Sequence, residues 1–292
     1  PFQRFADRPI VQAGEYTIVF LHRSVKGHIM GLLGKNGCGK TTTINILNGF
    51  LQPRSGECLI YGESTRNLSP DTKRRLGYLI EGHIQYSFMN IYQIEKFYSV
   101  FYENWNREAY FELMNRMKIL PTQKVSSMSC GQRAQVALGL ILAQDPDLLI
   151  LDDFSLGLDP GYRRLFVDHM REYAKAGNKT VFLTSHIIQD MERLIDDVLI
   201  MDYNRVLLRG SATEFMEKFH QFTFDLDRDD LDFKTEAMIV EADRIKNHYE
   251  IYTYASRDEV EAMLQAKGLV YRDFTPVKMT LEDAFIGLTG KY

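Results

Sequence analysis

The chain has 292 residues, of which 45% are hydrophobic and 25% are charged, and its formal net charge is −4 with a pI near 6.0. This balance is typical of a globular protein with one large domain, or one large and one small, and argues against a basic nucleic-acid surface. No apolar run approaches the ~20 residues of a membrane-spanning helix, no signal peptide is recognisable, and three cysteines without disulfide or zinc spacing favour a cytosolic protein.

The first informative element is a P-loop, G-x-x-x-x-G-K-[ST], at residues 34–41. The apolar run 29–33 predicts a strand before it, and residues 41–48 predict a short helix after it. In this context backbone N–H groups surround phosphates, the lysine adds positive charge, and the threonine hydroxyl reaches a magnesium ion. The predicted nucleotide-binding residues are Gly34, Lys35, Asn36, Gly37, Cys38, Gly39, Lys40, Thr41 and Thr42.

Strand-like and helix-like segments alternate through the following part of the chain, which predicts an α/β fold with a mostly parallel sheet covered by helices. Predicted strands are 57–61, 148–151, 180–184 and 198–201, and predicted helices are 133–144 and 162–176.

Residues 91–118 are helix-like and rich in aromatic side chains, and they predict an inserted helical subdomain at about 85–145. Core packing is expected for most of these aromatics, and a docking surface for a few. The boundary of the large domain is predicted at residue 215. Residues 216–292 predict a small α+β domain with strands at 222–226, 237–241 and 249–254 and helices at 257–266 and 280–288.

Two further motifs accompany the P-loop. The apolar strand 148–151 ends in Asp152 and Asp153, and such an acid beside a P-loop can hold magnesium while the next carboxylate orients a water. The run Ser129-Cys130-Gly131-Gln132 opens a predicted helix, which makes a second anion site. Two anion sites in one chain make sense if the second faces the nucleotide of a partner molecule.

These motifs, in this order, resemble the nucleotide-binding subunits of ATP-binding-cassette (ABC) transporters, over about residues 15–215. Gly157-Leu158-Asp159 is similar to the D-loop of that family, and His186 is similar to its switch histidine. Segments 97–106 and 281–290 look like the separately encoded ATPase subunits of its export-type (ABC-2-like) bacterial branch.

The resemblance implies a P-loop NTPase fold of the ABC-ATPase type, with a mixed sheet, and a homo- or heterodimer that encloses ATP and Mg²⁺. It also implies a separate transmembrane permease, a peripheral position on the cytoplasmic face of the membrane, and no nucleic acid. The resemblance implies that Thr41, Asp152 and Glu81 bind magnesium and that Asp153, His186 and Glu81 act in catalysis. It further implies that Ser129, Gly131 and Gln132 contact the partner's nucleotide and that Asp159 lies at the interface.

The chain departs from the family in three places. Asp153 stands where a glutamate is usual, and its shorter side chain places the carboxylate about 1 Å further from the water, which can cost on the order of a hundredfold in rate. Phe154 replaces a proline. Glu81 replaces a glutamine and adds negative charge, which is expected to increase the dependence on Mg²⁺.

Two alternatives stay open. One is a slow or degenerate ATP-sensing ABC protein, because of Asp153 and Phe154. The other is a soluble ABC ATPase that acts on ribosomes or DNA, which is disfavoured by the single cassette and the lack of a heptad arm or basic patch.

Two side-chain questions also arise from the sequence. The adenine-stacking position falls near Val11, with Tyr16 and Phe20 as possible substitutes. Cys38 is expected to be an alkylatable thiol with a lowered pKa, protected by ATP.

Overall fold

The computed structural model describes residues 27–79, 86–155, 158–177, 179–203, 205–228 and 231–290, together with the backbone of 11–12 and 15–16. The chain divides into two compact units, and the boundary along the sequence falls between Val206 and Leu207. The boundary expected at residue 215 falls inside a helix of the second unit. Within the described ranges no helix has the length and apolar character that a bilayer span requires.

Strands and helices alternate along most of the chain. The strands are β1 (Val11–Gln12), β2 (Glu15–Tyr16), β3 (Ile29–Gly34), β4 (Leu59–Ile60), β5 (Glu63–Ser64), β6 (Leu76–Leu79), β7 (Leu148–Leu151), β8 (Thr180–Thr184), β9 (Asp197–Asp202), β10 (Arg205–Ser211), β11 (His220–Leu226), β12 (Ile239–Ile245), β13 (His248–Thr253) and β14 (Tyr271–Val277). The helices are α1 (Lys40–Leu47), α2 (Pro70–Arg74), α3 (Ile91–Ser99), α4 (Arg107–Arg116), α5 (Cys130–Ala143), α6 (Pro160–Gly177), α7 (Ile188–Leu194), α8 (Ala212–Lys218), α9 (Arg257–Ala266) and α10 (Leu281–Thr289).

In the first unit, five strands form a sheet with the order β9-β3-β8-β7-β6. The pairs β3–β8, β3–β9, β6–β7 and β7–β8 are parallel. Parallel strands place their carboxyl ends at one edge of the sheet, where open α/β folds bind ligands. The loops that follow β3, β7 and β8 therefore meet at that edge. The predicted α/β class with a mostly parallel sheet is confirmed.

The central strands are buried on both faces, which explains their continuous apolar sequences. Every residue of β7 is buried, and so are the last four of β8. Phe154, directly after this region, is fully buried and stacks on Phe166 of α6 with ring centroids 4.8 Å apart. The side chain that replaces the family's proline is thus part of the core.

The helical region contains α3, α4 and α5, and the helix-like stretch 91–118 forms two helices, α3 and α4. Tyr110 is fully buried and donates a hydrogen bond to the carbonyl of Ile91 over 3.0 Å. Core packing of most aromatics between 91 and 118 was expected, and that expectation is wrong. Among them only Tyr110 is buried, whereas Tyr92 and Phe101 are exposed.

The second unit has its own sheet, with the order β12-β13-β11-β14, and its own core. Its core includes Phe222, Phe224 and Tyr249 from the strands and Val260 and Leu264 from α9. The predicted strands and helices of this region are present, α9 with the predicted ends and the others with shifted ends. Strand β14 was not predicted, because its sequence includes a charged pair and a proline and lacks the alternation of buried and exposed residues typical of a strand.

Candidate functional site

The P-loop follows β3 and leads into α1. Gly37 and Gly39 have φ values of +79° and +105°, a left-handed backbone that only glycine adopts without strain. The Nζ atom of Lys40 donates to the carbonyls of Gly34 and Lys35 over 2.7 and 3.1 Å, so it spans the loop. This arrangement turns backbone N–H groups and the start of α1 toward one concave surface, as expected for an anion site.

Asp152 and Asp153 follow β7, and each is 5% exposed. Burial of two adjacent carboxylates is costly unless hydrogen bonds stabilise them. Thr184, at the end of the neighbouring strand β8, provides this contact. Its hydroxyl group donates to Asp152 Oδ1 over 3.0 Å and accepts from the backbone N–H of Asp153 over 2.9 Å.

His186 lies beside Asp153. Its backbone N–H donates to Asp153 Oδ1 over 3.2 Å, and its Nε2 atom lies 3.2 Å from Asp153 Oδ2. This second approach is close enough for an ion pair but is misaligned for a hydrogen bond, so Oδ2 is buried with no hydrogen-bond partner among the described residues. Such an acceptor is available to a ligand or to water.

One cleft, with a volume of about 190 Å³, brings most of these groups together. It is lined by Asn36, Gly37, Gly39, Lys40, Thr41, Thr42, Asp152, Asp153, Thr184, Ser185 and His186. The structure therefore joins three separate sequence motifs in one site. Three other predicted P-loop residues do not line the cleft. Gly34 is the last residue of β3, and the side chains of Lys35 and Cys38 are buried.

The signature segment, residues 129–132, lies at the start of α5 and does not line this cleft. Ser129 is exposed, and its hydroxyl accepts from the N–H of Gln132 over 3.1 Å. The side chain of Gln132 in turn accepts from the N–H of Ser129 over 3.0 Å. This reciprocal pair is a capping box. Gln132 thus has a structural role at this helix end.

Gly131 is buried against the ring of Tyr162, which belongs to the first turn of α6. A Cβ atom at position 131 would lie 2.6 Å from a ring carbon of Tyr162, closer than packed atoms approach. Only glycine fits while that ring stays in place. Sequence reasoning assigned Gly131 to phosphate contact and gave no sign of this packing.

Asp159 lies at the start of α6, where its Oδ1 atom accepts from the N–H groups of Gly161 and Tyr162 over 2.9 and 3.1 Å. These bonds satisfy two of the free donors at the helix N-terminus. Asp159 therefore has a local capping function.

Some predicted residues lie outside the described part of the chain. Glu81 and Phe20 are among them, and so is Gly157 of the segment similar to the D-loop. The side chains of Val11 and Tyr16 are likewise outside it.

The expected lowering of the Cys38 pKa is wrong. Its side chain is 4% exposed, and burial raises the pKa of the thiol, against the smaller lowering effect of Lys40. A helix N-terminus lowers a thiol pKa only where the sulfur stays accessible to solvent. Here Cys38 belongs to the core beneath the loop, in one cluster with Met30, Ile44 and Met201.

The donor set of the cleft fits Mg²⁺. Thr41 offers an exposed hydroxyl and Asp152 a carboxylate, both hard oxygen donors on the cleft wall. In the described segments, no group of three or more His, Cys, Asp and Glu residues is placed to hold a metal by itself. Sites of this kind complete magnesium coordination with water and substrate phosphates.

The fold and the cleft define a P-loop nucleotide-binding protein. Residues 23–155 match the family model described as ABC transporter. The chain is 29% identical over 273 residues to the Nod factor export ATP-binding protein I of Cupriavidus metallidurans, covering 91% of this chain and 89% of that protein. It is 25% identical over 279 residues to YhcH of Bacillus subtilis, an uncharacterised ABC transporter ATP-binding protein, with 91% and 88% covered.

Solved structures agree with these matches. A structure described as an ATP-binding subunit of an ABC transporter aligns with a TM-score of 0.58 at 25% identity, covering 66% of this chain and 82% of that chain. A structure of cbiO1 from Clostridium perfringens, described as part of the complex cbiONQ, aligns with a TM-score of 0.57 at 26% identity, covering 66% and 80%. Together, these matches support an ATP-binding protein of the ABC transporter family.

Three hydroxyl-bearing residues of the site were not assigned a role from the sequence. They are Thr184, Ser155 and Ser185. The hydroxyl groups of Ser155 and Ser185 lie 2.5 Å apart, and Ser185 also accepts from the N–H of Ile187 over 3.0 Å. The available signal was the position of Thr184 and Ser185 directly before His186, but hydroxyl side chains at strand ends are common.

Proposed function

We propose that this chain hydrolyses ATP as one member of a nucleotide-bound pair of cassettes, and that it powers export through a separate transmembrane subunit. The observation that carries the hydrolytic part is the cleft that places the P-loop opposite two buried carboxylates and a histidine. A phosphate site alone would explain binding, whereas Asp153 Oδ2, which has no hydrogen-bond partner among the described residues, adds a group that can act on water.

Each side chain has a distinct role in this proposal. Lys40 and the P-loop N–H groups bind the phosphates, and Thr41 and Asp152 hold Mg²⁺. When bound, Mg²⁺ neutralises charge on the phosphate oxygens. Asp153 Oδ2 accepts a hydrogen bond from the attacking water, and His186 keeps that carboxylate oriented through its backbone N–H. Catalysis is then positioning combined with electrostatic stabilisation.

The pairing of two cassettes rests on the position of the signature. Ser129 is exposed and does not line the cleft of its own chain. Its hydroxyl oxygen accepts within the capping box, which leaves the hydroxyl hydrogen for another acceptor. A phosphate bound to a second cassette, in a homo- or heterodimer, supplies that acceptor.

The export partner is inferred from two observations. One relative is named as an export ATP-binding protein, and it matches along most of both chains. In addition, rings near α3 form an aromatic patch of Tyr86, Phe88, Phe97, Tyr98 and Phe101, in which neighbouring rings pack against each other. Phe88 and Phe101 are 65% and 61% exposed. Exposed aromatic clusters are typical of protein interfaces, so a permease is proposed to dock on this patch and hold the chain at the cytoplasmic face of the membrane.

One observation supports a second candidate, an ATP sensor with little turnover. Asp153 is shorter than the family's glutamate, and its backbone has a left-handed φ of +45°. A site whose carboxylate stops short of the attacking water binds nucleotide normally but hydrolyses it slowly.

The test is steady-state ATP hydrolysis by the purified chain with Mg²⁺, measured over a range of protein concentrations. Lys40→Ala and Asp153→Asn are compared with the wild type. Lys96→Ala, an exposed lysine on α3, is the matched control. We expect turnover per molecule to rise with protein concentration, and to fall about a hundredfold or more in Asp153→Asn, the usual range for loss of a general base.

Each outcome separates the candidates. Nucleotide binding without turnover above the Lys40→Ala level supports the sensor. Unchanged turnover in Asp153→Asn removes the catalytic role of Asp153, and loss of activity in Lys96→Ala shows that lysine removal alone explains the Lys40→Ala result.

A further inference from the structure

Thr184 is the last residue of β8 and lies two residues before His186. Its side chain is buried, with 2% exposed. The single hydroxyl contacts both acidic residues of the cleft, Asp152 through its carboxylate and Asp153 through its backbone. Because the two acids follow β7, this hydroxyl also joins the loop after β7 to the loop after β8.

The direction of both hydrogen bonds follows from the groups involved. The backbone N–H of Asp153 can only donate, so the Thr184 oxygen accepts there. The hydroxyl hydrogen is then directed to Asp152 Oδ1, and a bond to a carboxylate is a charge-assisted one. Rotation of the Asp152 carboxylate would break that bond. The hydroxyl therefore fixes the orientation of an oxygen donor on the cleft wall.

The contact with Asp153 has a different effect. A non-glycine residue with left-handed φ is in a sparsely populated conformation, which its surroundings must hold. Here the Asp153 N–H is held by Thr184 and the Asp153 carboxylate by the N–H of His186. These two bonds keep the residue in the conformation in which its Oδ2 atom lies beside His186.

We propose that Thr184 is a positioning residue of the hydrolytic site, whose hydroxyl orients Asp152 for magnesium and holds Asp153 in its left-handed conformation. This inference rests on the proposed function and adds a residue to it. Thr184 acts through the two acids rather than on the nucleotide. Its loss therefore changes the dependence on Mg²⁺ together with turnover.

The experiment measures ATP hydrolysis against Mg²⁺ concentration at fixed ATP, with fluorescent mant-ATP binding over the same Mg²⁺ range. Thr184→Val keeps the shape of the side chain and removes the hydroxyl. Thr184→Ser keeps the hydroxyl. Thr180→Val makes the same change at the other end of β8, away from the carboxylates, and is the matched control.

In Thr184→Val we expect the Mg²⁺ concentration for half-maximal activity to rise about tenfold or more and turnover to fall, since a hydrogen bond to a charged group is worth at least a factor of ten. Thr184→Ser and Thr180→Val should resemble the wild type. Partial unfolding lowers turnover without moving the Mg²⁺ midpoint, so the midpoint separates positioning from stability. If Thr184→Val does not fold, Thr184→Cys, with a weakly donating thiol, should give an intermediate midpoint.

An unchanged midpoint in folded Thr184→Val overturns the inference and leaves the proposed function intact. A Thr184→Ser variant as defective as Thr184→Val also overturns it, because packing rather than the hydroxyl then matters. If the wild type binds ATP without hydrolysing it, the Mg²⁺ midpoint of mant-ATP binding decides in the same way. A wild type that binds no ATP overturns the proposed function, and this inference with it.

Discussion

Asp153 shows how one residue can satisfy local geometry and chemistry together. Aspartate and asparagine tolerate left-handed backbone conformations better than longer side chains do. The φ of +45° at this position therefore suits aspartate better than the glutamate of the family. The shorter side chain still places one buried oxygen at the cleft, next to His186.

The cysteines provide a residue-scale prediction. Burial raises the pKa of the Cys38 and Cys58 thiols, whereas Cys130 is exposed at the start of α5. Because the thiolate is the reactive form, N-ethylmaleimide at pH 7 should modify Cys130 first and the buried thiols only after denaturation. Mass spectrometry of the native chain checks this, with Cys130→Ser as the control. Fast labelling of Cys38 in that variant would contradict the burial of the P-loop cysteine.

At this scale the sequence predicted the groups of the cleft better than the links between them. Lys40, Thr41, Asp152 and His186 were found because each follows a strand in a recognisable pattern. The hydrogen bonds of Thr184 were not predicted, because they require β7 and β8 to be neighbours in the sheet. The sequences of the individual strands do not indicate their order in the sheet.

At the scale of the helix, Asp159 allows a test of its capping role. Its carboxylate accepts two N–H groups at the start of α6. Asp159→Ala should lower the free energy of unfolding by about 1 kcal/mol, whereas Asp159→Asn, which also caps well, should lower it by much less. Urea unfolding monitored by circular dichroism measures both. Equal losses in the two variants would show that the charge, and not the cap, stabilises this helix.

Secondary structure was predictable where burial leaves a clear pattern. Strands β7 and β8 have the predicted ends because their apolar runs are continuous. The break between α3 and α4 was not predicted, because helix-like composition continues through residues 100–106. The chain turns toward α5 there, and the N–H of Asn106 donates to the carbonyl of Ala143 over 2.7 Å. Tyr92 and Phe101 of this region are exposed and Tyr110 is buried, a difference that hydrophobicity alone could not indicate.

At the scale of the molecule, the second unit has its own sheet and aromatic core. A fragment of residues 212–292 should therefore fold by itself, since a separate hydrophobic core is the main requirement for autonomous folding. Cooperative urea unfolding of the fragment, followed by tyrosine fluorescence, checks this. A gradual, non-cooperative change would show that this core needs the rest of the chain.

The contact between Gly131 and Tyr162 makes two distant positions depend on each other during evolution. A larger residue at 131 is tolerated only after the ring at 162 has been lost, and an aromatic at 162 can be gained only while 131 remains glycine. Substitutions at the two sites must therefore occur in a fixed order. The first turn of α6 thus restricts which residues position 131 of this chain can acquire.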